Sequence, residues 1–292
     1  MVKILERTIP KNILAQVGFK YKRIDIIGDI AVIKVHPKLE EYRHKIANEV
    51  LKEIPYVKVV LRQISPTETA YRIKKYEWLA GEKRTWTLVK EHGCTFKVDI
   101  AKVFYTPRLA YEHMRIVKMV KDGEEVLNMF AGIGCFSILI AKYANPKVVY
   151  SIDINPKAIE LMRENTKLNR VEDKIVIFKG DAANVILRNI LFKVDRVLMP
   201  LPMLALKYLP YAILALKEEG GYIHMYLDVY VDKGEKAVVK AKHYVQMALT
   251  QLPVKYRILN GRVVRSVGPR RKQVVLDVWA RRVNIFEYLQ CS

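Results

Sequence analysis

The sequence predicts an α/β protein in which a small mixed module precedes a larger domain with a parallel central sheet. The chain has 292 residues, of which 51% are hydrophobic and 28% are charged. This is enough for one large domain together with a smaller module. From about residue 101, short apolar strands alternate with helical stretches, a pattern typical of parallel strands covered by helices. We therefore place the module at residues 1–100 and the parallel-sheet domain at residues 101–292.

The N-terminal module combines strands with one helix. Its strand segments are rich in β-branched residues, and its helical segment places apolar side chains three and four positions apart. No Ser/Gly-rich linker follows it, so we expect it to pack firmly on the next domain. The predicted elements are a β-rich run at 24–35 broken at Gly28-Asp29, a helix at 39–54, a strand at 57–61 and a hairpin of strands 86–89 and 95–100 around His92-Gly93.

The second domain is predicted from a repeated order of strand, turn and helix. Its strands are short apolar runs, and its helices show a mixed apolar and polar pattern. The predicted strands are 125–127, 148–152, 175–178, 196–199 and 222–225, followed by 254–259 and 274–280 in the tail, and the predicted helices are 136–143, 156–168, 203–217 and 233–252.

Composition excludes several classes of protein. No apolar run approaches the roughly 18 to 20 residues that cross a bilayer, and the first residues lack the apolar stretch of a signal peptide. The three cysteines, Cys94, Cys135 and Cys291, show no paired metal-ligand spacing and cannot form an even set of disulfides. We therefore expect a cytoplasmic protein with no metal site and no membrane contact.

The charge is strongly basic. There are 51 Lys and Arg against 30 Asp and Glu, a net charge of +21, and the last 42 residues hold +7 of it. Such an excess favours a polyanionic partner, RNA or DNA, although a Lys-rich surface is also common in soluble proteins. The nucleic-acid interpretation predicts that five tail residues lie close together: Arg262, Arg265, Arg270, Arg271 and Lys272.

A nucleoside site is predicted where consecutive strands of the second domain end. The first strand runs into Gly132 and Gly134, which let the backbone approach a ligand. The second strand ends in Asp153, nineteen residues past Gly134, where a carboxylate is placed to accept both hydroxyls of a ribose. The third ends near Asp181, which could receive the exocyclic amino group of adenine. The alternative is that Asp153 and Asp181 cap the following helices.

The glycine spacing separates two kinds of nucleotide ligand. A dinucleotide site has three glycines, spaced G-x-G-x-x-G, which seat a pyrophosphate at the helix terminus. Here the third position is Ser137. Adenosine without pyrophosphate fits better, which favours S-adenosylmethionine (AdoMet) over a dinucleotide-dependent oxidoreductase.

Several short segments follow one another in the order of a known group of proteins: Arg23-Ile-Asp-Ile-Ile-Gly-Asp29, Tyr71-Arg72 with Glu77 and Gly81, Thr106-Pro-Arg-Leu-Ala-Tyr-Glu112, Met129-Phe-Ala-Gly132, Ile152-Asp-Ile-Asn-Pro156, Met199-Pro-Leu-Pro202 and Gly268-Pro-Arg270. With them the chain resembles the archaeal and eukaryotic enzymes that methylate the purine at position 37 of tRNA, beside the anticodon, and their relatives in wyosine synthesis. The resemblance implies a class I, Rossmann-like, AdoMet-dependent methyltransferase domain behind a small N-terminal α/β module. It also implies a partner, the anticodon loop of tRNA, and we expect a monomer.

The resemblance assigns roles to single residues. Arg72 matches the arginine thought to stabilise negative charge on the exocyclic oxygen of the purine, and Glu112 matches the proposed general base. Removing a ring proton while an arginine stabilises the developing oxyanion is what such a transfer requires. Without the matched segments both residues would be taken as surface charges. The cofactor-binding residues that we expect are Arg108, Phe130, Gly132, Gly134, Asp153, Asn155, Asp181 and Pro200.

One departure from the family pattern concerns the target base. The relatives usually have Asn-Leu-Pro after the fourth strand, where this chain has Pro200-Leu201-Pro202. Proline offers no side-chain donor and no backbone N–H, so the base edge must be recognised differently. We therefore expect methylation of carbon 7 of 4-demethylwyosine, giving isowyosine. The alternatives are methylation of N1 of guanosine or of both targets, transfer of the aminocarboxypropyl group of AdoMet, and a tRNA-binding protein without catalysis.

Overall fold

The computed structural model describes residues 2–10, 23–65 and 73–283, and the account below concerns these residues. The chain divides into two compact units, Met1–Arg108 and Leu109–Ser292. The sequence analysis ends the N-terminal module at residue 100, and this domain boundary stays a prediction. No helix within the described ranges is long and apolar enough to cross a membrane.

A four-stranded sheet with one helix packed on it forms the centre of the first unit. The elements of this unit are α1 (Val2–Thr8), β1 (Ile24–Ile27), β2 (Ile30–Ile33), a 3₁₀ turn (Pro37–Tyr42), α2 (Arg43–Glu53), β3 (Val59–Gln63), β4 (Tyr76–Gly81), β5 (Trp86–Glu91) and β6 (Cys94–Asp99). The strand order is β1-β2-β3-β4, with β2 and β3 parallel and the other neighbours antiparallel. Ile33, Val60, Ile46 and Val50 are buried between the sheet and the helix α2.

The first unit confirms most of its predicted elements. The β-rich run splits at Gly28-Asp29 into β1 and β2, and β5 and β6 form the predicted hairpin. Gly28 has φ +58°, and a Cβ there would lie 2.2 Å from Thr87 Oγ1, so only glycine fits this turn. The helix α1 and the strand β4 were not predicted, because both are short and β4 carries Glu77 within its apolar pattern.

A seven-stranded sheet forms the centre of the second unit. The elements of this unit are α3 (Ala110–Val117), β7 (Glu125–Asn128), α4 (Cys135–Tyr143), β8 (Val148–Asp153), α5 (Pro156–Asn169), β9 (Ile175–Lys179), α6 (Ala182–Asn189), β10 (Arg196–Met199), α7 (Ala205–Ala215), β11 (Gly221–Tyr230), α8 (Ala237–Leu249), β12 (Val254–Ser266) and β13 (Arg271–Arg282). The strand order is β12-β13-β11-β10-β7-β8-β9, in which β11, β10, β7, β8 and β9 are parallel and β13 is antiparallel to both β11 and β12.

This topology confirms the predicted fold class. Chain order reverses between the neighbouring strands β7 and β10, and ligands of open α/β sheets bind at the carboxyl ends of strands beside such a reversal. All five predicted parallel strands are present, with β11 and the tail strands longer than predicted. The helices α3 and α6 were not predicted as separate elements, because each has only eight residues.

One face of the β11–β13 pair carries polar side chains into the interior. His224 lies opposite Asp277 and Asp228 opposite Gln273, and paired residues share a face of the sheet. His224, Asp277 and Gln273 are all buried. Buried polar side chains need hydrogen-bond partners. The polar residues on this face must therefore bind one another or side chains of neighbouring elements.

Candidate active site

The loop between β7 and α4 is shaped by two glycines. Gly132 has φ +58°, and a Cβ placed on it would meet nothing within 4 Å, so the loop borders open space there. Gly134 has φ +93° and is the N-cap of α4. A Cβ on Gly134 would lie 2.8 Å from Met162 Cγ. The first glycine therefore leaves room for a ligand, and the second lets α4 begin close to α5.

Asp153 closes this loop against the end of β8. Its Oδ2 accepts a hydrogen bond from the Gly132 N–H at 2.7 Å, and its Oδ1 accepts one from the Asn155 N–H at 2.9 Å. Burial raises the pKa of Asp153, and these backbone hydrogen bonds oppose that shift. Because a carboxylate has about four acceptor sites, each oxygen can accept one more hydrogen bond. This arrangement fits the two neutral hydroxyl donors of a ribose.

Asp181 and Asn155 both act as helix caps. Asp181 Oδ1 accepts from Ala183 N at 3.0 Å and from Asn184 N at 3.2 Å, and the Asn155 side chain accepts from Lys157 N at 3.0 Å. The capping alternative therefore describes Asp181, whereas Asp153 lies two residues before the cap of its helix.

Tyr208 contacts both Asp181 and Phe130. Its hydroxyl donates to Asp181 Oδ2, and its ring packs edge-to-face on Phe130 with ring centroids 5.3 Å apart. Burial, followed by the hydrogen bond to Asp181, raises the pKa of Tyr208 to about 12. Asp181 Oδ2 keeps capacity for one further donor, as an adenine amino group requires.

Ser137, at the position of a third glycine, is part of the core. It is fully buried, its Oγ accepts from Asn128 Nδ2 at 3.1 Å, and Ser151 Oγ lies 2.7 Å away. These hydrogen bonds join α4 to β7 and β8 where a dinucleotide site brings helix and strand together through glycine. The loop thus differs from a pyrophosphate site, as the sequence analysis predicts from Ser137 in place of a third glycine.

Glu112 lies on α3 and is 1% exposed. Its Oε1 accepts hydrogen bonds from Arg115 Nε at 2.7 Å and from the Tyr226 hydroxyl at 2.8 Å. Its Oε2 accepts one from Arg262 at 2.7 Å. Three of about four acceptor sites are therefore filled, and the remaining capacity is on Oε2.

The ion pairs continue from Glu112 into the sheet. Arg115 binds both oxygens of Asp277, at 2.8 and 3.0 Å, and Asp277 Oδ1 lies 2.6 Å from His224 Nδ1. Arg196 lies 2.7 Å from His224 Nε2 and forms a two-pronged pair with Glu124. Because Arg196 can only donate, His224 Nε2 accepts and Nδ1 carries the proton. Burial lowers the pKa of His224, consistent with a neutral imidazole.

The predicted catalytic and cofactor residues outside these two clusters are placed as follows. Arg72 lies outside the described residues. Arg108 is exposed and pairs with Asp25 at 3.1 Å within the first unit. Pro200 directly follows β10 and is partly buried. Their roles toward a ligand stay predictions.

The five predicted RNA-binding residues all lie on or beside the β12–β13 hairpin. Arg265 bonds Gln273 at 2.7 Å and Lys272 bonds Ser266 at 2.8 Å across the hairpin. Arg271 pairs with Asp228 of β11. Arg270 is exposed whereas the other four are partly buried; its side chain is 78% exposed and lies 3.4 Å from Asp232. Arg262 differs from the other four, because its guanidinium points to Glu112.

The sequence interpretation missed five residues around these clusters: Tyr208, Tyr226, Arg115, Asp277 and His224. Arg115 alone carried a local signal, since it lies three positions after Glu112 on the same helix. Tyr226 and Asp277 are 114 and 162 positions away from the residues they bind. Only the paired strands bring them to the site.

Two family models cover most of the chain. The TRM5/TYW2 methyltransferase domain matches residues 87–252. The chain belongs to the TRM5/TYW2 methyltransferase family. A second model, the TYW2 N-terminal domain, matches residues 1–85. The family predicted from the short segments is thereby confirmed.

Curated members of the family show different activities. The chain is 42% identical over 261 residues to the tRNA 4-demethylwyosine(37)-methyltransferase Taw21 of Saccharolobus solfataricus, covering 89% of this chain and 94% of that protein. It is 38% identical to the tRNA (guanine(37)-N(1))-methyltransferase Trm5b of Pyrococcus abyssi, covering 87% and 73%. It is 34% identical to a tRNA(Phe) (4-demethylwyosine(37)-C(7)) aminocarboxypropyltransferase of Pyrococcus horikoshii, covering 76% of each chain.

Solved structures of the family share this fold. A complex of aTrm5 with tRNALeu matches with a TM-score of 0.79 and 34% identity, covering 94% of this chain and 76% of that one. Methanocaldococcus jannaschii TYW2 in complex with AdoMet matches with a TM-score of 0.67 and 26% identity, covering 89% and 100%. The class I methyltransferase fold is therefore the fold of this chain.

Proposed function

We propose that this chain transfers a methyl group from AdoMet to carbon 7 of 4-demethylwyosine at position 37 of tRNA, giving isowyosine. Membership of the family gives the coarser statement, an AdoMet-dependent methyltransferase of tRNA. The finer statement rests chiefly on the likeness to Taw21, which extends over nearly the full length of both chains. Pro200 in place of the family asparagine adds to it, because a different base edge calls for different contacts.

The residues described above fit AdoMet. Asp153 would accept the ribose hydroxyls, with Gly132 leaving room beside it. Asp181 and Phe130 would hold the adenine, with Tyr208 fixing the Asp181 carboxylate. We assign further cofactor contacts to Gly134, Asn155, Arg108 and Pro200. When bound, AdoMet supplies an electrophilic methyl group on a sulfonium centre.

The chain's own contribution to the chemistry is to bind the base and to take up its proton. Carbon 7 of the base forms a bond to the methyl carbon as the sulfur–methyl bond breaks, and that bond's electron pair stays on sulfur. The proton that carbon 7 carried then passes to Glu112, which restores the aromatic ring. We assign to Arg72 the positioning of the base through a hydrogen bond to its exocyclic oxygen.

The partner is tRNA, and we propose that the β12–β13 hairpin binds its phosphates. Arg265, Arg270, Arg271 and Lys272 lie on this hairpin or at its turn. Arginine side chains match the geometry of phosphate oxygens. The net charge of +21 supports the same partner.

Two substrates assayed side by side test the target. One is a transcript with guanosine at position 37, and the other is tRNA that carries 4-demethylwyosine. We expect one new methyl group only on the second, measured by mass spectrometry of the digested nucleosides. Gain on both would indicate an enzyme with two targets, and gain on the first alone would replace our proposal with N1 methylation. Gain of the aminocarboxypropyl unit would refute methyl transfer altogether.

A further inference from the structure

Glu112 is not accessible to a substrate in the arrangement that the structure shows. It is 1% exposed, and its two carboxylate oxygens already accept three hydrogen bonds. A general base must come within hydrogen-bond reach of the proton that it removes. The one open acceptor position, on Oε2, is covered in a carboxylate that is 1% exposed, so a partner of Glu112 must move before a substrate can reach it.

Arg115 and Tyr226, the two partners of Glu112 Oε1, are themselves fixed in the structure. Arg115 is 13% exposed and is anchored by both oxygens of Asp277. Tyr226 is 2% exposed, and burial raises its pKa well above the ordinary value, so that it stays a neutral donor. Although burial opposes ionisation, hydrogen bonds from His224 and Arg115 lower the pKa of Asp277 to about 2. Removing Arg115 would leave the buried Asp277 carboxylate without its cation, and removing Tyr226 would leave Glu112 Oε1 with one hydrogen bond fewer in a buried site, and both losses are costly.

The partner on Oε2 is different. The Arg262 side chain is 30% exposed and lies on β12, the edge strand of the sheet. Its guanidinium also packs over the ring of Tyr111, 4.8 Å from the ring centroid, and Tyr111 is 70% exposed. A single hydrogen bond joins Arg262 to Glu112. Arg262 is thus the one partner of Glu112 in the described part of the chain that can turn toward solvent without uncovering a second charge.

We propose that Arg262 covers the catalytic carboxylate and that a backbone phosphate of the tRNA draws it away. The proposal rests on the proposed function, in which Glu112 accepts the proton. Arginine binds phosphate in the same charge-assisted geometry as carboxylate. The Arg262 charge therefore stays paired when Arg262 moves from Glu112 to the phosphate. Glu112 Oε2 then faces the base, while Arg115 and Tyr226 keep Oε1 oriented. The enzyme accordingly exposes its base only when RNA is bound.

The pH dependence of turnover distinguishes this cover from a merely structural ion pair. The acidic limb of kcat/KM reports the free enzyme, and that of kcat reports the enzyme–substrate complex. The charged or titratable groups that bind Glu112 within the described ranges are Arg115, Tyr226 and Arg262. Behind Arg115 lie Asp277 and then His224, whose pKa is lowered by burial. Arg115 and Arg262 stay charged between pH 4 and 8, and the pKa values of Asp277 and Tyr226 lie outside that range.

Arg262→Ala is the variant that tests the cover, and Arg270→Ala is its matched control. Both should flatten the dependence of log tRNA affinity on log salt, by about 0.7 to 0.9 for one phosphate contact. Only Arg262→Ala should move the acidic limb of kcat/KM to higher pH, because free Glu112 loses a cation that favours its ionised form. The acidic limb of kcat should stay in place, since Arg262 has already left Glu112 in the complex. Arg270→Ala should move neither limb.

Two results would overturn the proposal. If the limbs of kcat and kcat/KM move together in Arg262→Ala, Arg262 stays on Glu112 throughout the reaction. If neither limb moves, the ion pair has no part in preparing the base. Calorimetric AdoMet binding checks the fold of each variant. If Arg262→Ala does not fold, Tyr111→Ala carries the test, since removing the ring loosens Arg262 and should shift the kcat/KM limb in the same direction by less.

Failure of the cover is distinguishable from failure of the proposed function. Glu112→Gln that keeps full turnover would remove Glu112 from the reaction whatever Arg262 does. Loss of turnover in Glu112→Gln together with unmoved limbs in Arg262→Ala would keep the base and refute only the cover.

Discussion

Removing the Asp153 carboxylate should weaken AdoMet binding more than any other single change at the glycine loop. Two of its roughly four acceptor sites hold the backbone N–H groups of Gly132 and Asn155, at 2.7 and 2.9 Å, and two are left for the ribose hydroxyls. Hydrogen bonds to a charged group contribute about 1.5 to 3 kcal/mol. Asp153→Ala should therefore lower AdoMet affinity roughly ten- to a hundredfold.

Isothermal titration calorimetry with AdoMet measures this loss directly. Asp153→Asn keeps the side-chain volume but can accept from only one of the two backbone N–H groups, so it should lose affinity as well. Asp173→Ala, an exposed carboxylate in the 3₁₀ turn Glu172–Lys174, is the control and should bind AdoMet like the parent chain. Unchanged affinity in Asp153→Ala would refute the assignment of the ribose site and would reopen the question of the cofactor.

Three further changes have definite expected outcomes. Glu112→Ala should lower turnover about 100- to 10,000-fold with AdoMet affinity nearly unchanged, measured by single-turnover methyl transfer and calorimetry; full turnover would place the base elsewhere. Asp277→Asn should lose about 2 kcal/mol of stability at neutral pH, since the pKa of Asp277 falls from 3.8 to about 2 on folding. This contribution is present above pH 4 and is lost as pH falls through 2. In urea unfolding, the free energy of unfolding of the variant should therefore fall less between pH 7 and pH 2 than that of the parent chain. Arg271→Ala should weaken tRNA binding and flatten its salt dependence; an unchanged slope in filter binding would exclude a phosphate contact there.

The contact between Gly132 and Asp153 was predictable because both residues follow strand ends in a fixed order. Gly132 and Asp153 are far apart in sequence, yet neighbouring parallel strands must bring their carboxyl ends together. The hydrogen bond between them at 2.7 Å is the direct result. Asp181 shows the limit of this reasoning, because an aspartate after a strand is also a good helix cap, and the sequence could not separate the two roles.

The surroundings of Glu112 could not be predicted. The resemblance supplied the residue, but its partners come from β11, β12 and the same helix, at separations of 114, 150 and 3 positions. Charged residues are usually exposed, so Arg262 was assigned to RNA binding with the other hairpin cations. That Arg262 pairs with a buried carboxylate depends on the antiparallel register of β12 and β13, which no local pattern encodes.

The identity of the transferred group and its acceptor is the central claim, and one labelling experiment tests it most directly. The chain is incubated with tRNA that carries 4-demethylwyosine and with AdoMet that holds heavy carbon in its methyl group and heavy nitrogen in its amino group. The account predicts that the digested tricyclic nucleoside gains the heavy carbon on carbon 7 and none of the heavy nitrogen. Heavy nitrogen in that nucleoside would identify aminocarboxypropyl transfer and contradict the account, as would a tricyclic base that stays unlabelled while a transcript with guanosine at position 37, incubated in parallel, gains the heavy carbon.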